Sequence, residues 1–301
     1  MSATETAAEL LGGLARRDEP IGPRTTYRVG GRAELFVEVA DEDGLVVVCD
    51  AVAASGIEVL VLGQGSNTLI ADAGFPGLCV TLGAAFSAIT VDDDRSGVQA
   101  GGGASYPILA RRCAVAGATG LEWAVGIPGS VGGAVRMNAG GHGSDTATSL
   151  TCAQVVDLES GQRRELVVDE LGFGYRRSAI GAHDLVVSAR FALAPGEAGD
   201  AGAAIEEIVR WRRTHQPGGR NAGSVFTNPP GDSAGRLVEA AGLKGLRVGS
   251  AEVSDKHANF IQADDGGSAD DVRALMEHVR RVVAERTGVV LHPEVHLVGF
   301  R

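Results

Sequence analysis

Lysine is almost missing from this chain: Lys244 and Lys256 are the only two, and the other 25 basic residues are arginines. Basic residues of both kinds are outnumbered by 38 Asp and Glu, leaving a net charge of −11. Such a balance lacks the electrostatic footprint of a general nucleic-acid or anionic-membrane binder, so neither is expected as a partner. An anionic ligand would need its own cationic pocket, which arginine's bidentate fork suits. No apolar run approaches the ~18 residues of a membrane span. The opening MSATETAAELL carries Glu5 and Glu9 where a secretory leader has basic residues, so the expected compartment is the cytoplasm. Cys49, Cys79, Cys113 and Cys152 form no CxxC pair and sit in apolar stretches, as buried free thiols do. Seven histidines show no HExxH or paired-ligand spacing, so no metal is expected. No heptad or spare apolar stripe indicates an oligomeric state.

What is abundant is glycine, 44 residues in 301. It is neither periodic nor gathered in Gly/Ser linkers, but lies between apolar runs, where it marks tight turns and backbone brought close to a ligand. The length predicts two domains, and a 44% hydrophobic, 22% charged composition fills and covers ordinary globular cores.

The pattern reads as α+β. A helix over 41–55 precedes the strand Ile57–Leu62, a loop at 63–68 and a strand Leu78–Leu82. A strand Val98–Ala100 and a helix over 105–117 follow, then a glycine-rich stretch at 126–143 read as loop. A hairpin joins Ala153–Leu158 to Arg164–Val168, and the strand His183–Leu193 ends at Ala194-Pro195-Gly196, a plausible boundary. Helices are expected near 201–214 and 232–241. The best is 269–287, where Val272, Leu275, Met276, Val279, Val282 and Val283 recur at helical spacing behind a Ser268 cap. A strand Glu294–Phe300 closes the chain.

Gly63-Gln64-Gly65-Ser66-Asn67 follows a buried strand, and its amides can form an anion-binding nest. It lacks the third glycine of the dinucleotide fingerprint, so a plain tight turn remains the competing reading. The run Gly126-Ile127-Pro128-Gly129-Ser130-Val131-Gly132-Gly133-Ala134 shifts that balance. Two loops whose glycines cost unfolded-state entropy fit a long ligand gripped at its pyrophosphate by backbone.

These two loops, with Thr25-Thr26-Tyr27-Arg28-Val29-Gly30-Gly31 before them, resemble the UDP-N-acetylenolpyruvoylglucosamine reductase family. Tyr175-Arg176-Arg177-Ser178, Ala222-Gly223-Ser224-Val225-Phe226-Thr227-Asn228-Pro229, His257-Ala258-Asn259-Phe260 and Pro293-Glu294-Val295 continue the resemblance in order, from about residue 20 to 300. It implies a two-subdomain FAD-binding region of the vanillyl-alcohol-oxidase/PCMH type over 1–197, with subdomains of about 1–85 and 86–197. A C-terminal α+β substrate-binding domain over 198–301 would follow. It also implies non-covalent FAD, NADPH as co-substrate and a UDP-sugar substrate. The interval between Arg176 and Ser224 is short, as in the branch that lacks a substrate-covering insertion.

On the same resemblance, FAD would be held by Tyr27, Arg28, Gly63, Gln64, Gly65, Ser66, Asn67, Gly126, Ile127, Pro128, Gly129, Ser130, Gly132 and Gly133. The reaction adds a hydride and a proton across an enolpyruvyl double bond. The flavin carries the hydride, so the protein must supply the proton and stabilise developing charge. Ser224 resembles the proton donor, Arg176 the group that grips the carboxylate, and Glu294 the acid completing the catalytic set. Tyr175, Arg212 and Asn228 are expected at the substrate; the competing reading of Arg212 is a charge at a helix C-terminus. One departure stands out: relatives often have arginine where this chain has His296. Two alternatives remain at this stage, an oxidase of the same fold and a nucleotide-binding module without turnover.

Overall fold

The structure, a computed structural model, describes residues 1–300 and is α+β. Its residues gather into two compact units that alternate along the chain. Met1–Arg17, Glu34–Gln64 and Gly77–Arg212 make the first; Asp18–Ala33, Gly65–Pro76 and the segment from Arg213 onward make the second. Where the sequence reading cuts the chain after about residue 85 and after residue 197, these units exchange chain five times. The physical reason is strand pairing between remote segments: in the second unit Thr68–Ile70 runs parallel to His296–Val298, Thr68 opposite His296.

The first unit has two cores. One packs Leu35, Val37 and Val39 of the strand Arg32–Val39 and Leu78 and Val80 of Phe75–Leu82 against Leu45, Val48 and Val52 of the helix Glu42–Ser55. That helix starts where Asp41 accepts a hydrogen bond from the Gly44 amide at 2.9 Å and stops at Gly56, whose φ of +64° a glycine adopts without strain. The other core lies on a five-stranded antiparallel sheet in the order Arg163–Val167, Leu150–Asp157, Asp184–Ala192, Gly97–Gly101, Ile89–Val91. Side chains alternate across it. Val186, Ala189 and Phe191 enter this second core while Leu185 and Val187 enter the first, so the sheet is covered on both faces.

Helix Val131–Met137 occupies part of the stretch read as loop, and two other elements, the helix Ala3–Leu11 and the strand Arg32–Val39, also lie outside the sequence reading. Ser130 caps Val131–Met137 by accepting from the Gly133 amide at 3.2 Å, and Asn138 ends it at φ +41°. Glycine concealed the helix, since it lowers helix propensity by about 1 kcal/mol per residue. Its presence here follows from close approach: a Cβ on Gly132 would stand 3.2 Å from the carbonyl oxygens of Gly102 and Val186.

The second unit is built on the helix Ala269–Thr287, whose bounds match the sequence reading. The stripe Val272, Leu275, Met276, Val279, Val282 and Val283 is buried with Val225, Phe226, Val253 and Val295. Each such side chain stabilises the fold by roughly 1.5–3 kcal/mol on burial. Beyond the Ser268 cap, Asp72 also accepts from the amides of Ala269 (3.0 Å) and Asp270 (3.2 Å). The segment Gly65–Pro76 is thereby pinned to the helix that organises this unit.

Candidate active site

In the first unit a cavity of about 130 Å³ opens between strand ends and loops. It is lined by Leu62-Gly63-Gln64 after the strand Val59–Val61, by Thr81 and Leu82, and by Gly102 and Gly103. Ser130, Gly132, Gly133 and Arg136, then Ile180 and 184–186, complete it. Both glycine loops singled out in the sequence therefore meet on one cavity.

The donors there are unequal. The amides of Gly63 and Gln64 donate to no other group among the described residues. Those of Val131, Gly132 and Gly133 are already spent, on Ala104 O, Gly102 O and Ser130 Oγ. A Cβ on Gly63 would lie 2.4 Å from Ser130 Oγ, so a side chain there would have to displace the Ser130 hydroxyl. Thr81 adds a buried hydroxyl with no hydrogen-bond partner, an arrangement that costs about 1–3 kcal/mol until a partner arrives. Arg136 brings a guanidinium with one neutral acceptor, the Gly181 carbonyl at 2.8 Å. Free amides, an unmet hydroxyl and a cation form a donor-rich cradle that fits the phosphates of a dinucleotide.

A second group of residues in the same unit gathers around Gly126 and Gly140. Tyr175 and Arg176 form the tip of a tight turn closed by reciprocal Gly174 and Arg177 backbone bonds of 3.1 and 3.2 Å. Arg176 takes a left-handed φ of +57°, donates to Gly140 O at 2.8 Å and sits 5.0 Å over the Tyr175 ring. Strain at a non-glycine residue of this kind costs of order 1–3 kcal/mol and is held by surrounding contacts. Those contacts centre on Asn138, whose side chain donates to Gly174 O (3.2 Å) and Asp145 (3.1 Å) and accepts from the Ala147 amide (2.9 Å). Asn138 is a positioning residue absent from the sequence-derived set; its signal was its place in the glycine-rich stretch at 126–143. Arg212 donates to the Gly126 carbonyl, with its pKa lowered by burial. His142 stands edge-on to Trp211 at 5.2 Å, and burial, followed by the charge of Arg212, lowers its pKa.

The second unit holds the other candidates. Residues 225–227 and 292–294 run antiparallel: the Glu294 amide donates to Val225 O (2.8 Å), the Thr227 amide to His292 O (2.9 Å), and Phe226 bridges Pro293. Ser224 and Glu294 thus sit on facing segments, both partly buried, and the Ser224 hydroxyl bonds to no described residue. Buried Asn259 fixes the first of these segments. It accepts from the Phe226 amide (3.0 Å) and donates to the Phe226 carbonyl (2.8 Å), while its own carbonyl takes the Val225 amide (2.8 Å). Asn67 donates to Glu294 O at 3.0 Å and accepts from the His296 amide at 3.0 Å. Asn228 uses its carbonyl to accept from Ala234 N at 3.0 Å, ahead of the helix Ala234–Ala240. Tyr27 is fully buried beside Val29 and Leu69, and burial pushes its pKa up, opposed by its hydroxyl's contact with the Ala222 backbone. Arg28 is exposed at φ +56°, and the neighbouring Thr26 amide donates to Gly65 O at 3.1 Å. Among the described residues no cluster of three His, Cys, Asp or Glu side chains could hold a metal ion, and no helix is long and apolar enough to cross a membrane.

Comparison with known proteins decides the family. A model described as an FAD-binding domain matches residues 33–166, and one described as the C-terminal domain of UDP-N-acetylenolpyruvoylglucosamine reductase matches 214–298. The UDP-N-acetylenolpyruvoylglucosamine reductase of Rubrobacter xylanophilus is 42% identical over 287 residues, covering 95% of each chain. The chain belongs to the UDP-N-acetylenolpyruvoylglucosamine reductase family. A reductase of Synechococcus sp. is 44% identical over 94% of each chain. The crystal structure of the Thermus caldophilus reductase superposes with a TM-score of 0.81 at 35% identity, over 93% of this chain and 97% of that one. Membership in the reductase family, over nearly the full length, leaves the oxidase alternative without support. The expected fold class stands: an FAD-binding region of the vanillyl-alcohol-oxidase/PCMH type, with the family's C-terminal α+β domain.

Proposed function

We propose that this chain catalyses the NADPH-dependent reduction of UDP-N-acetylglucosamine enolpyruvate to UDP-N-acetylmuramate, in peptidoglycan precursor synthesis. The observation that carries the reading is the pairing, within one family-matched domain, of Ser224 and Glu294 on segments joined by the Glu294–Val225 and Thr227–His292 backbone bonds. On this reading FAD, bound without a covalent link, would supply the hydride chemistry, with NADPH as the reductant and the methylene carbon of the enolpyruvyl group as the acceptor. Gly63, Gln64, Ser130 and Arg136 would hold it at the cavity, with Tyr27, Arg28, Gly65, Ser66 and Asn67 shaping the adjoining loop. The chain divides functionally into an FAD-binding part over 1–197 and a substrate-binding part over 198–301.

As the methylene carbon gains hydride, electron density collects on the α-carbon and the carboxylate. Arg176 holds that carboxylate by its guanidinium fork, and the hold tightens as charge grows. Ser224 Oγ delivers the proton to the α-carbon. A serine hydroxyl is a weak acid, so Glu294 serves as the hydrogen-bonding partner through which the lost proton is replaced. Tyr175, Arg212 and Asn228 bind the rest of the UDP-sugar. A reaction that consumes NADPH and a nucleotide sugar belongs in the cytoplasm, where it supports cell-wall growth, cell shape and division.

Anaerobic mixing followed at the flavin absorbance near ~450 nm tests the reading. Bleaching by NADPH and recovery only on adding the enolpyruvyl substrate is the expected course. A colourless protein, or bleached flavin restored by oxygen alone, would overturn it.

A further inference from the structure

Two ionisable side chains line the flavin cavity, Arg136 and Asp184. Asp184 is already engaged: it pairs with Arg164 and accepts from the Gly181 amide at 2.8 Å. Arg136 forms no ion pair with any described residue. The cavity therefore carries an uncompensated positive charge in a protein whose net charge is −11. Burial lowers the Arg136 pKa, with Asp184 opposing, so the charged form is short of stabilisation where it stands.

Arg136 straps the segment 178–181 to its helix, since its carbonyl accepts from Ser178 Oγ at 2.7 Å and its side chain holds the Gly181 carbonyl. That strap needs a donor of the right length, not a charge. Four of the five guanidinium N–H donors have no hydrogen bond to a described residue. Retaining a full charge in a partly desolvated position costs free energy that a carbonyl contact alone does not return. The cavity wall beside it offers the free amides of Gly63 and Gln64, which also select for an anion.

We infer that Arg136 is the cation that binds the pyrophosphate of the dinucleotide held in this cavity. The inference rests on the FAD reading above and assigns the charge balance of that site to one side chain. A pyrophosphate diester is a dianion while the flavin ring and adenine are neutral, so the guanidinium discriminates for the phosphate bridge. Its planar fork suits two phosphate oxygens at once, which a lysine ammonium matches only as a point charge.

The test uses the full chain, freed of flavin and titrated with FAD, for the wild type, Arg136→Gln and Arg136→Lys. The flavin-free melting temperature is recorded for each. Arg136→Gln is expected to weaken FAD binding by about tenfold to a hundredfold, with Arg136→Lys recovering part of the loss. The two variants should melt alike without flavin. Unchanged FAD affinity in Arg136→Gln overturns the inference. Equal weakening in both variants, with equal loss of melting temperature, also overturns it and leaves only the strap. If Arg136→Gln does not fold, the wild type decides: FAD affinity that falls with added salt supports the inference, and a salt-independent affinity overturns it. A wild-type chain that binds no FAD instead sinks the cofactor reading on its own.

Discussion

Asn67 donates its carboxamide N–H to the backbone carbonyl of Glu294 at 3.0 Å, across 227 residues of sequence. The Asn67 carbonyl in turn takes the His296 amide, so the residue clasps the backbone on both sides of Val295. A loop expected to touch the cofactor and a segment bearing the proposed acid are thus joined at one residue, by its side chain at Glu294 and its backbone carbonyl at His296. Asn67→Ala should cost about 1–2 kcal/mol of stability through the lost bond. It should also slow substrate reduction by roughly tenfold or more, because small misplacements of reacting groups are expensive. Rapid-mixing of the NADPH-reduced variant with substrate measures this; a wild-type rate would show that Glu294 needs no such clasp.

Ser224→Ala separates the two halves of the reaction. Flavin reduction by NADPH should proceed at the wild-type rate, while reoxidation by the enolpyruvyl substrate slows by about 10²–10⁴-fold, the usual contribution of a positioned acid. Normal turnover in this variant would remove Ser224 from the proton-donor role.

Thr81→Val exchanges a buried, unpartnered hydroxyl for a methyl of similar shape. Without flavin the variant should be more stable than wild type by about 1 kcal/mol, because an unmet polar group has been removed. With flavin the order should invert, FAD binding weaker by roughly fivefold. Thermal melts with and without FAD check both signs; a variant destabilised in each state would mean Thr81 serves packing alone.

His257 gives the second unit a pH dependence. Burial, with a smaller contribution from Lys244 and opposition from Glu239, lowers its pKa from the ordinary 6.5, and its Nδ1 accepts from the Asn259 amide at 3.2 Å. The unfolded chain takes up a proton near pH 6.5 while the folded chain resists it. Stability should therefore be full above that value and fall as pH drops toward the lowered folded pKa. Melting temperatures between about pH 7.5 and 5.5 should decline less in His257→Gln than in wild type. His142, also lowered, remains in both proteins, so the difference isolates His257. Parallel curves would sink this assignment.

Legibility in the sequence followed burial and spacing. The helix Ala269–Thr287 was readable because its apolar stripe, cap and terminal Gly288 agree. The helix Val131–Met137 was not, since the glycines that weaken its propensity are there for close packing against 102 and 186. Arg176, Ser224 and Glu294 were legible through motif order. Asn259 lay inside a quoted motif and Asn138 in the glycine-rich stretch, but the bonds by which they hold the Ser224 segment and the Arg176 turn reach segments remote in sequence. Arg136 had no local signal at all; its meaning comes from its lack of an ion-pair partner, the nearby Asp184 being engaged by Arg164.

The parallel pairing of Thr68–Ile70 with His296–Val298 also dictates an order of events during synthesis. At ~5–20 residues per second, Asn67 leaves the ribosome roughly 10–45 s before Glu294 exists to receive it. For that interval Leu69 and Tyr27, both destined for complete burial, have no finished core to enter. Slow-closing, non-local contacts of this kind expose apolar surface to other chains. The loop that shapes the cofactor site is therefore among the first parts translated and the last parts secured.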